Sequence, residues 1–190
     1  MSGCHRTLVV TVVAVGFFVA PVGAQVPGKQ FVPHVRSEVQ EGGALVEELV
    51  RRSPTGREIV AELDRSTVIV YIRYRLFKES TLVGRIGLLS SVGDRRYLIV
   101  ELAWGLLRVQ ALQALAHELY HATEIARAPE VVDTATLSGY YSRIGDRGRA
   151  TGGGQMFETW AAVETTSRVH RELVAPIAPG DRIIPLRAEP

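Results

Sequence analysis

One segment constrains the fold of this 190-residue chain more than any other, the run from Leu106 to Arg127. Its apolar residues recur at helical spacing, it contains neither glycine nor proline, and Pro129 follows its end. This pattern predicts an α-helix of roughly six turns with one face in the protein core. The other elements are expected to pack against that face. Its apolar positions include Leu107, Ala111, Leu115, Leu119 and Ala122.

Shorter helices are predicted on both sides of the long one. Ser53 is a typical N-cap residue, and Pro54 after it favours the first position of a helix. The last predicted helix follows a glycine-rich loop over 145–154. The four predicted helices cover 44–52, 54–64, 133–144 and 155–173.

Three extended runs lie between the first two helices and the long helix. They are rich in β-branched, aromatic and other apolar residues, and the turn sequence Val-Gly-Asp-Arg separates the last two. We therefore predict a small antiparallel meander of three strands, over 67–77, 81–90 and 96–103. Together with the helices, these strands predict a single α+β domain over 44–173.

The N-terminus has the three parts of a secretory signal peptide. Arg6 lies in a short region without acidic residues, an apolar run extends from Leu8 to Ala20, and the small residues of Val22-Gly23-Ala24 precede Gln25. We predict an exported protein, periplasmic or secreted, that is cleaved after Ala24 and has no stable membrane span afterwards. An uncleaved N-terminal anchor is the alternative. Segment 25–43 is predicted to be an extended arm, and 174–190 an irregular tail.

Charge and cysteine content exclude several classes of function. The chain has 22 basic and 20 acidic residues, and no block of Lys and Arg typical of nucleic-acid binding occurs. The single cysteine, Cys4, lies within the predicted signal peptide. The mature chain is therefore expected to hold any metal ion through histidine and carboxylate side chains alone.

An H-E-x-x-H sequence lies inside the long helix. His117 and His121 are one turn apart on one face, so their imidazoles are able to bind the same zinc ion. Glu118 is next to that face and is placed to take a proton from the water that attacks a carbonyl. The alternative is an exposed helix on which these three residues occur by chance.

A catalytic zinc usually has three protein ligands, so a further ligand is expected. Glu158 is favoured because the glycine-rich loop returns the chain towards the long helix, and because small residues near Glu158 allow close packing of the last helix. Glu164 is the next candidate, and it points to the opposite side of a helix from Glu158. The other candidates are Glu130, Asp133 and His170.

The segments HELYHATEIA and FETWAA together resemble the gluzincin class of zinc metallopeptidases. More narrowly, they are similar to small exported bacterial zincin-like proteins. The resemblance covers about 67–173, and it implies a minimal zincin-like domain in which a glutamate helix follows the active-site helix. It also implies one zinc ion bound by His117, His121 and Glu158, with Glu118 as the general base.

The chain departs from this resemblance at one point. Many gluzincins have an acidic residue three or four positions after the glutamate ligand, whereas this chain has Ala161 and Ala162. A carboxylate that orients a ligand histidine must then come from elsewhere, and Glu124 and Asp133 are the candidates, with a backbone carbonyl as the alternative.

Two features are expected to act on the substrate. Tyr140 and Tyr141 are candidate hydrogen-bond donors to an oxyanion, although an ordinary role as core or surface tyrosines is the favoured explanation. The strand over 96–103 precedes the H-E-x-x-H helix and is expected to offer its edge to an extended peptide, unless it is a core strand.

The predicted function is that of an exported zinc-dependent metallopeptidase acting on a peptide or protein substrate. The alternative is a non-catalytic binding module that zinc stabilises. The presence of Glu118 favours the enzyme, because a purely structural zinc site does not need a base.

Overall fold

The computed structural model describes residues 32–79, 81–147 and 157–175. The described residues from Pro33 onward belong to one compact unit that combines five helices with a four-stranded sheet. The mixed α+β character predicted from the sequence is therefore confirmed. The predicted signal peptide over 1–24, with Cys4, lies outside the described residues, as does nearly all of the predicted tail over 174–190.

The helices follow the predicted order along the chain. Ser53 accepts a hydrogen bond from the backbone N–H of Gly56, and Asp133 accepts one from that of Thr136, so both residues cap helices as their positions suggest. None of the described helices is long and apolar enough to cross a membrane. Their bounds are α1 Gln40–Arg52, α2 Pro54–Asp64, α3 Arg108–Arg127, α4 Thr134–Ile144 and α5 Trp160–Val174.

The main sheet has the strand order β1-β2-β4-β3. The first three strands in this order are parallel to one another, and β3 is antiparallel to β4. A separate pair of two-residue strands, β5 and β6, flanks the segment over 148–156. The bounds are β1 Val35–Ser37, β2 Val68–Arg75, β3 Gly84–Val92, β4 Arg95–Ala103, β5 Asp146–Arg147 and β6 Phe157–Glu158.

The predicted three-stranded antiparallel meander is wrong in both strand number and order. The β3–β4 hairpin forms around Gly93, whose φ of 61° suits the turn. However, β4 is the more buried strand of the hairpin and lies between β2 and β3, which leaves the more exposed β3 at the edge. Burial of the apolar β4 on both sides decides this order, because hairpin formation alone does not determine which strand meets β2.

Two predicted boundaries are also wrong. Part of the predicted arm over 25–43 is β1, which gains its hydrogen bonds only by pairing with β2, and α1 already begins at Gln40. The last helix begins at Trp160, because Thr159 is its N-cap and accepts a hydrogen bond from the N–H of Ala162. Glu158 is therefore in β6 and not on a helix, contrary to the expected glutamate helix.

The core lies between one face of the sheet and the helices. Helix α3 runs through its centre, with Leu112, Leu115, Leu119 and Ile125 fully buried. Helix α5 packs beside α3, and Val169 from α5 belongs to the same cluster. The sheet face in this core is formed by Val68, Val70, Ile72, Leu98, Val100 and Leu102.

The opposite face of the sheet carries a cluster of charged residues around Glu101. Arg73 on β2 donates to the Glu101 carboxylate from Nε at 2.8 Å, Arg75 donates from Nη1 at 2.9 Å, and Arg85 on β3 donates from Nε. The residue Glu101 is only 3% exposed, whereas the three arginine side chains are nearly half exposed. Burial raises the pKa of Glu101, but the hydrogen bonds from the arginines outweigh burial and lower it to about 2.

The C-terminus of α3 is held by Arg96 of β4. The Arg96 guanidinium donates from Nη1 to the carbonyls of Ile125 and Ala128, at 2.6 and 2.7 Å, and from Nη2 to that of Ala126 at 3.1 Å. These carbonyls lie in the last turn of the helix or directly after it, where backbone acceptors lack helical partners. Arg96 therefore joins the end of α3 to the middle of the sheet.

We predict that Glu101→Gln destabilises the protein by about 1–3 kcal/mol at pH 7. The substitution replaces the buried carboxylate that accepts hydrogen bonds from three arginines with a neutral amide. The lowered pKa of Glu101 means that its contribution is fully present above the unfolded-state value of about 4.5 and is lost as the pH falls towards 2. The stability difference between wild type and variant should therefore shrink between pH 7 and pH 3.

Urea unfolding followed by circular dichroism measures this difference. Glu130→Gln is the matched control, because the Glu130 side chain is 57% exposed and lies 3.5 Å from that of Arg143, also exposed. This control should change stability by less than about 0.5 kcal/mol. A difference for Glu101→Gln that stays constant with pH contradicts the prediction.

Candidate metal centre

The structure brings together His117 and His121 of α3 and Glu158 of β6. Glu158 Oε1 lies 3.2 Å from His117 Nε2 and 3.5 Å from His121 Nε2. The three atoms that these residues offer to a metal lie within 4.8 Å of one another. The α-helix creates half of this arrangement, because residues four apart share one face, and the β5–β6 pair brings Glu158 to that face.

Hydrogen bonds at Nδ1 orient both imidazole rings. His117 Nδ1 lies 2.9 Å from Thr166 Oγ1 on α5, and His121 Nδ1 lies 2.7 Å from Glu124 Oε2. The Thr166 hydroxyl donates to the carbonyl of Ala162, so it accepts from His117. Because Nδ1 is hydrogen-bonded in this way, Nε2 of each ring faces Glu158 and is the nitrogen that would bind a metal.

Glu124 is the centre of a buried network. Its carboxylate accepts hydrogen bonds from the hydroxyl of Thr159 at 2.8 Å and from that of Tyr141 at 3.3 Å, besides the contact with His121. Glu124 is 7% exposed, so these donors compensate for the burial of its charge. The network joins α3 to α4 through Tyr141 and to the start of α5 through Thr159, next to Glu158.

The electrostatics of the cluster favour a cation. Burial lowers the pKa of His121, but hydrogen bonds to Glu124 and Glu158 outweigh burial and raise it to about 9. Burial raises the pKa of Glu158, but hydrogen bonds from His117 and His121 lower it to about 2. Two histidines are thus surrounded by three carboxylates, those of Glu118, Glu124 and Glu158.

Glu118 lies beside the cluster and against the edge strand. It is 6% exposed, and burial raises its pKa. A Cβ atom on Gly84 of β3 would lie 2.9 Å from Glu118 Oε1, closer than Cβ atoms normally approach. Glycine at position 84 therefore makes room for the Glu118 carboxylate between α3 and β3.

The other candidate residues occupy different positions. Tyr141 donates to the carbonyl of His121 at 3.2 Å as well as to Glu124, and Tyr140 donates to the carbonyl of Glu124 at 3.3 Å. Both hydroxyls therefore contact α3, Tyr141 at the Glu124 carboxylate that holds His121 Nδ1 and Tyr140 at the Glu124 backbone. Asp133 is at the N-terminus of α4, where its carboxylate accepts from Thr136. The structure does not bring Asp133 to the histidines.

The remaining candidates for the third ligand also lie elsewhere. Glu164 is next to Arg168 at 3.4 Å, Glu130 is next to Arg143, and His170 is exposed. Among the described residues, the only group of three or more histidine, cysteine or acidic side chains close enough to share a metal is His117, His121 and Glu158.

This donor set fits a zinc ion. Two imidazole nitrogens and one carboxylate oxygen are a common set of protein ligands in catalytic zinc sites, and the two Nδ1 atoms are already hydrogen-bonded to other groups. A dication also offsets two of the three negative charges that the surrounding carboxylates carry when ionised. The residues that would hold it are His117, His121 and Glu158.

Sequence reasoning missed three residues that shape the site, namely Thr159, Thr166 and Gly84. Thr159 carries a recognisable signal, because threonine before a helical pattern is a typical N-cap. Thr166 and Gly84 carry no such signal. Their contacts depend on how α5 and β3 pack against α3, which sequence spacing does not determine.

We predict that Glu124→Gln weakens zinc binding by about 10- to 100-fold, because a neutral amide polarises and orients the His121 ring less than a carboxylate does. Competition with a chromogenic chelator measures the dissociation constant. Circular dichroism of the metal-free variant establishes that the helices remain folded.

Glu164→Gln is the control for this measurement, because Glu164 lies on α5 and pairs with Arg168 at the surface. This variant should bind zinc as the wild type does. Equal affinities for Glu124→Gln and wild type would refute the role of Glu124, and a loss confined to Glu164→Gln would move the third ligand to that residue.

Comparisons with known proteins give no family for this chain. No model of a protein family matches it, no curated protein matches it, and no solved structure matches it. The function must therefore be inferred from the site itself.

Proposed function

We propose that this protein is an exported zinc-dependent metallopeptidase that hydrolyses peptide bonds. The observation that carries the proposal is the convergence of His117, His121 and Glu158, beside the buried carboxylate of Glu118. A purely structural zinc site is usually closed by four protein ligands and needs no base beside them, whereas this cluster offers three ligands and an adjacent carboxylate. The resemblance to gluzincins is consistent with this assignment.

Zinc in this site would polarise the substrate carbonyl and lower the pKa of the attacking water. Glu118 is the group that takes the proton from this water and passes it to the leaving amine. A raised pKa suits this role, because a general base and acid works best when its pKa approaches the working pH. The β3 strand keeps the carboxylate beside the cluster, since only glycine at position 84 leaves room for it.

The remaining residues of the site act by holding these groups. Thr166 and Glu124 orient the two imidazoles, and Thr159 and Tyr141 hold Glu124. The hydroxyls of Tyr140 and Tyr141 are hydrogen-bonded to residues of α3. Both tyrosines are therefore better suited to holding α3 and Glu124 in place than to donating to an oxyanion.

The edge of β3 is the proposed binding position for an extended peptide. The strand expected in this role, β4, is paired with β2 on one side and β3 on the other, so that expectation is wrong. In contrast, β3 ends the sheet and touches Glu118 through Gly84. A peptide paired with β3 would therefore pass next to the base.

We predict that Glu118→Gln retains about one zinc per chain but lowers kcat/KM for peptide hydrolysis by at least about 100-fold, because the proton acceptor is removed and the ligands are kept. Elemental analysis measures the metal, and cleavage of a mixed peptide library followed by mass spectrometry measures activity. Glu158→Ala should instead lose most of the metal.

These outcomes separate the enzyme from a zinc-stabilised binding module. If wild type and Glu118→Gln bind zinc equally and neither cleaves any peptide of the library, the binding module is the better description. If Glu118→Gln cleaves as fast as wild type, Glu118 is not the base.

A further inference from the structure

The edge of β3 next to the candidate site has no partner strand within the described parts of the chain. Strand β3 is the last in the sheet order, and its far end is covered where Ser91 donates to the carbonyl of Val132 at 2.7 Å. Near the site, Gly84 is buried, whereas Ile86 is half-buried and Arg85 is exposed. The end near the site begins at Gly84, against Glu118. A free strand edge of this kind is a template for pairing with another extended chain.

The hydrogen bonds of the β3–β4 pair show which groups point to this free edge. Ala103 donates its N–H to the carbonyl of Val83 at 2.9 Å. Hydrogen-bonded and non-hydrogen-bonded residue pairs alternate along an antiparallel ladder, so Arg85 and Glu101 form a hydrogen-bonded pair. The backbone N–H and C=O groups of Gly84 and Ile86 therefore point away from β4. The backbone groups of the half-buried Ile86 are therefore available to an added peptide, and one residue of that peptide would lie opposite Arg85.

Arg85 lies on the sheet face away from the helices. It is directly opposite Glu101, and its side chain is 47% exposed. Its contact with Glu101 uses Nε, and no described residue accepts a hydrogen bond from Nη1 or Nη2. The guanidinium also lies over the ring of Phe77, with Cζ 5.6 Å from the ring centre, and this contact leaves the hydrogen-bonding capacity of Nη1 and Nη2 for an acceptor on a neighbouring strand.

The charge around Arg85 favours an anion. Arg73 and Arg75 share the same carboxylate, so three guanidinium groups face one negative charge. No other acidic side chain of the described residues forms an ion pair with them. Of these three arginines, only Arg85 lies on the edge strand, where a peptide residue would arrive.

From this arrangement we infer that the protein selects substrates with an aspartate or glutamate opposite Arg85, close to the bond that is cut. Directly opposed residues on neighbouring strands have Cβ atoms about 4.5–5.5 Å apart and share one face of the sheet. An acidic side chain there meets the Nη groups of Arg85, whereas a lysine meets the positive charge of Arg85. This inference rests on the proposed peptidase function.

Hydrolysis of matched peptides tests the inference. After the cleaved bond has been located with a peptide library, each neighbouring position is varied among Glu, Gln and Lys in the zinc-loaded wild type. We expect one position at which Glu raises kcat/KM about tenfold over Gln, the effect of one hydrogen bond between charged groups. The preference should weaken in about 0.5 M salt, because part of it is electrostatic.

Two variants separate recognition by Arg85 from a general effect of charge. Arg85→Gln should abolish the preference for Glu, whereas Arg75→Gln should keep it, because Arg75 is on β2, with β4 between it and β3. Both arginines bind Glu101 and are 47% exposed, so the variants are matched. Absence of a preference in the wild type, or its equal loss in both variants, would overturn the inference.

Binding measurements distinguish failure of this inference from failure of the proposed function. The same peptides, labelled with a fluorophore, are titrated with Glu118→Gln, and anisotropy gives the dissociation constants. If no peptide is cleaved but Glu-containing peptides bind more tightly in an Arg85-dependent manner, acidic recognition stands and the peptidase proposal fails. If peptides are cleaved and bound without regard to charge, the peptidase proposal stands and acidic recognition fails.

Discussion

The hydrogen bonds between the buried Arg96 and the C-terminus of α3 determine where the candidate site lies. Arg96 is 5% exposed, and among the described residues no carboxylate forms an ion pair with it; its guanidinium instead binds the carbonyls that end α3. The partial negative charge of a helix C-terminus compensates for the buried cation. Because Arg96 is in β4 and β4 pairs with β3, this contact sets α3 against both strands. The position of Glu118 beside Gly84 depends on it.

The candidate site is part of the packing of the domain and not an addition to its surface. Glu124 orients His121, and the same carboxylate connects α3 to Tyr141 on α4 and to the N-cap of α5. Thr166 orients His117 and belongs to the helix that packs along α3. Removing one of these contacts should thus affect metal binding and helix packing together, because a buried carboxylate without its donors is costly.

Much of the helical structure was predictable because its signals are local. The N-caps Ser53 and Asp133 are recognisable from the residues that follow them, and α3 is evident from its length and apolar spacing. The strand order was not predictable. The same β3–β4 hairpin fits a meander and the observed sheet, and only burial of β4 between two neighbours distinguishes them. For the same reason, sequence spacing did not indicate that β3 forms the edge next to the candidate site.

The sequence by itself determined the histidine pair of the candidate metal site. Helical periodicity places His117 and His121 on one face, one turn apart, with Glu118 next to that face, whatever surrounds the helix. Only the tertiary structure decided which carboxylate joins them, which groups orient the imidazoles and which strand forms the sheet edge beside Glu118. These contacts join residues that are distant in the chain, such as His117 and Glu158, whose Nε2 and Oε1 atoms lie 3.2 Å apart. They form only when β6 and α5 pack against α3 and β4 lies between β2 and β3. Burial of the whole hydrophobic core decides both arrangements.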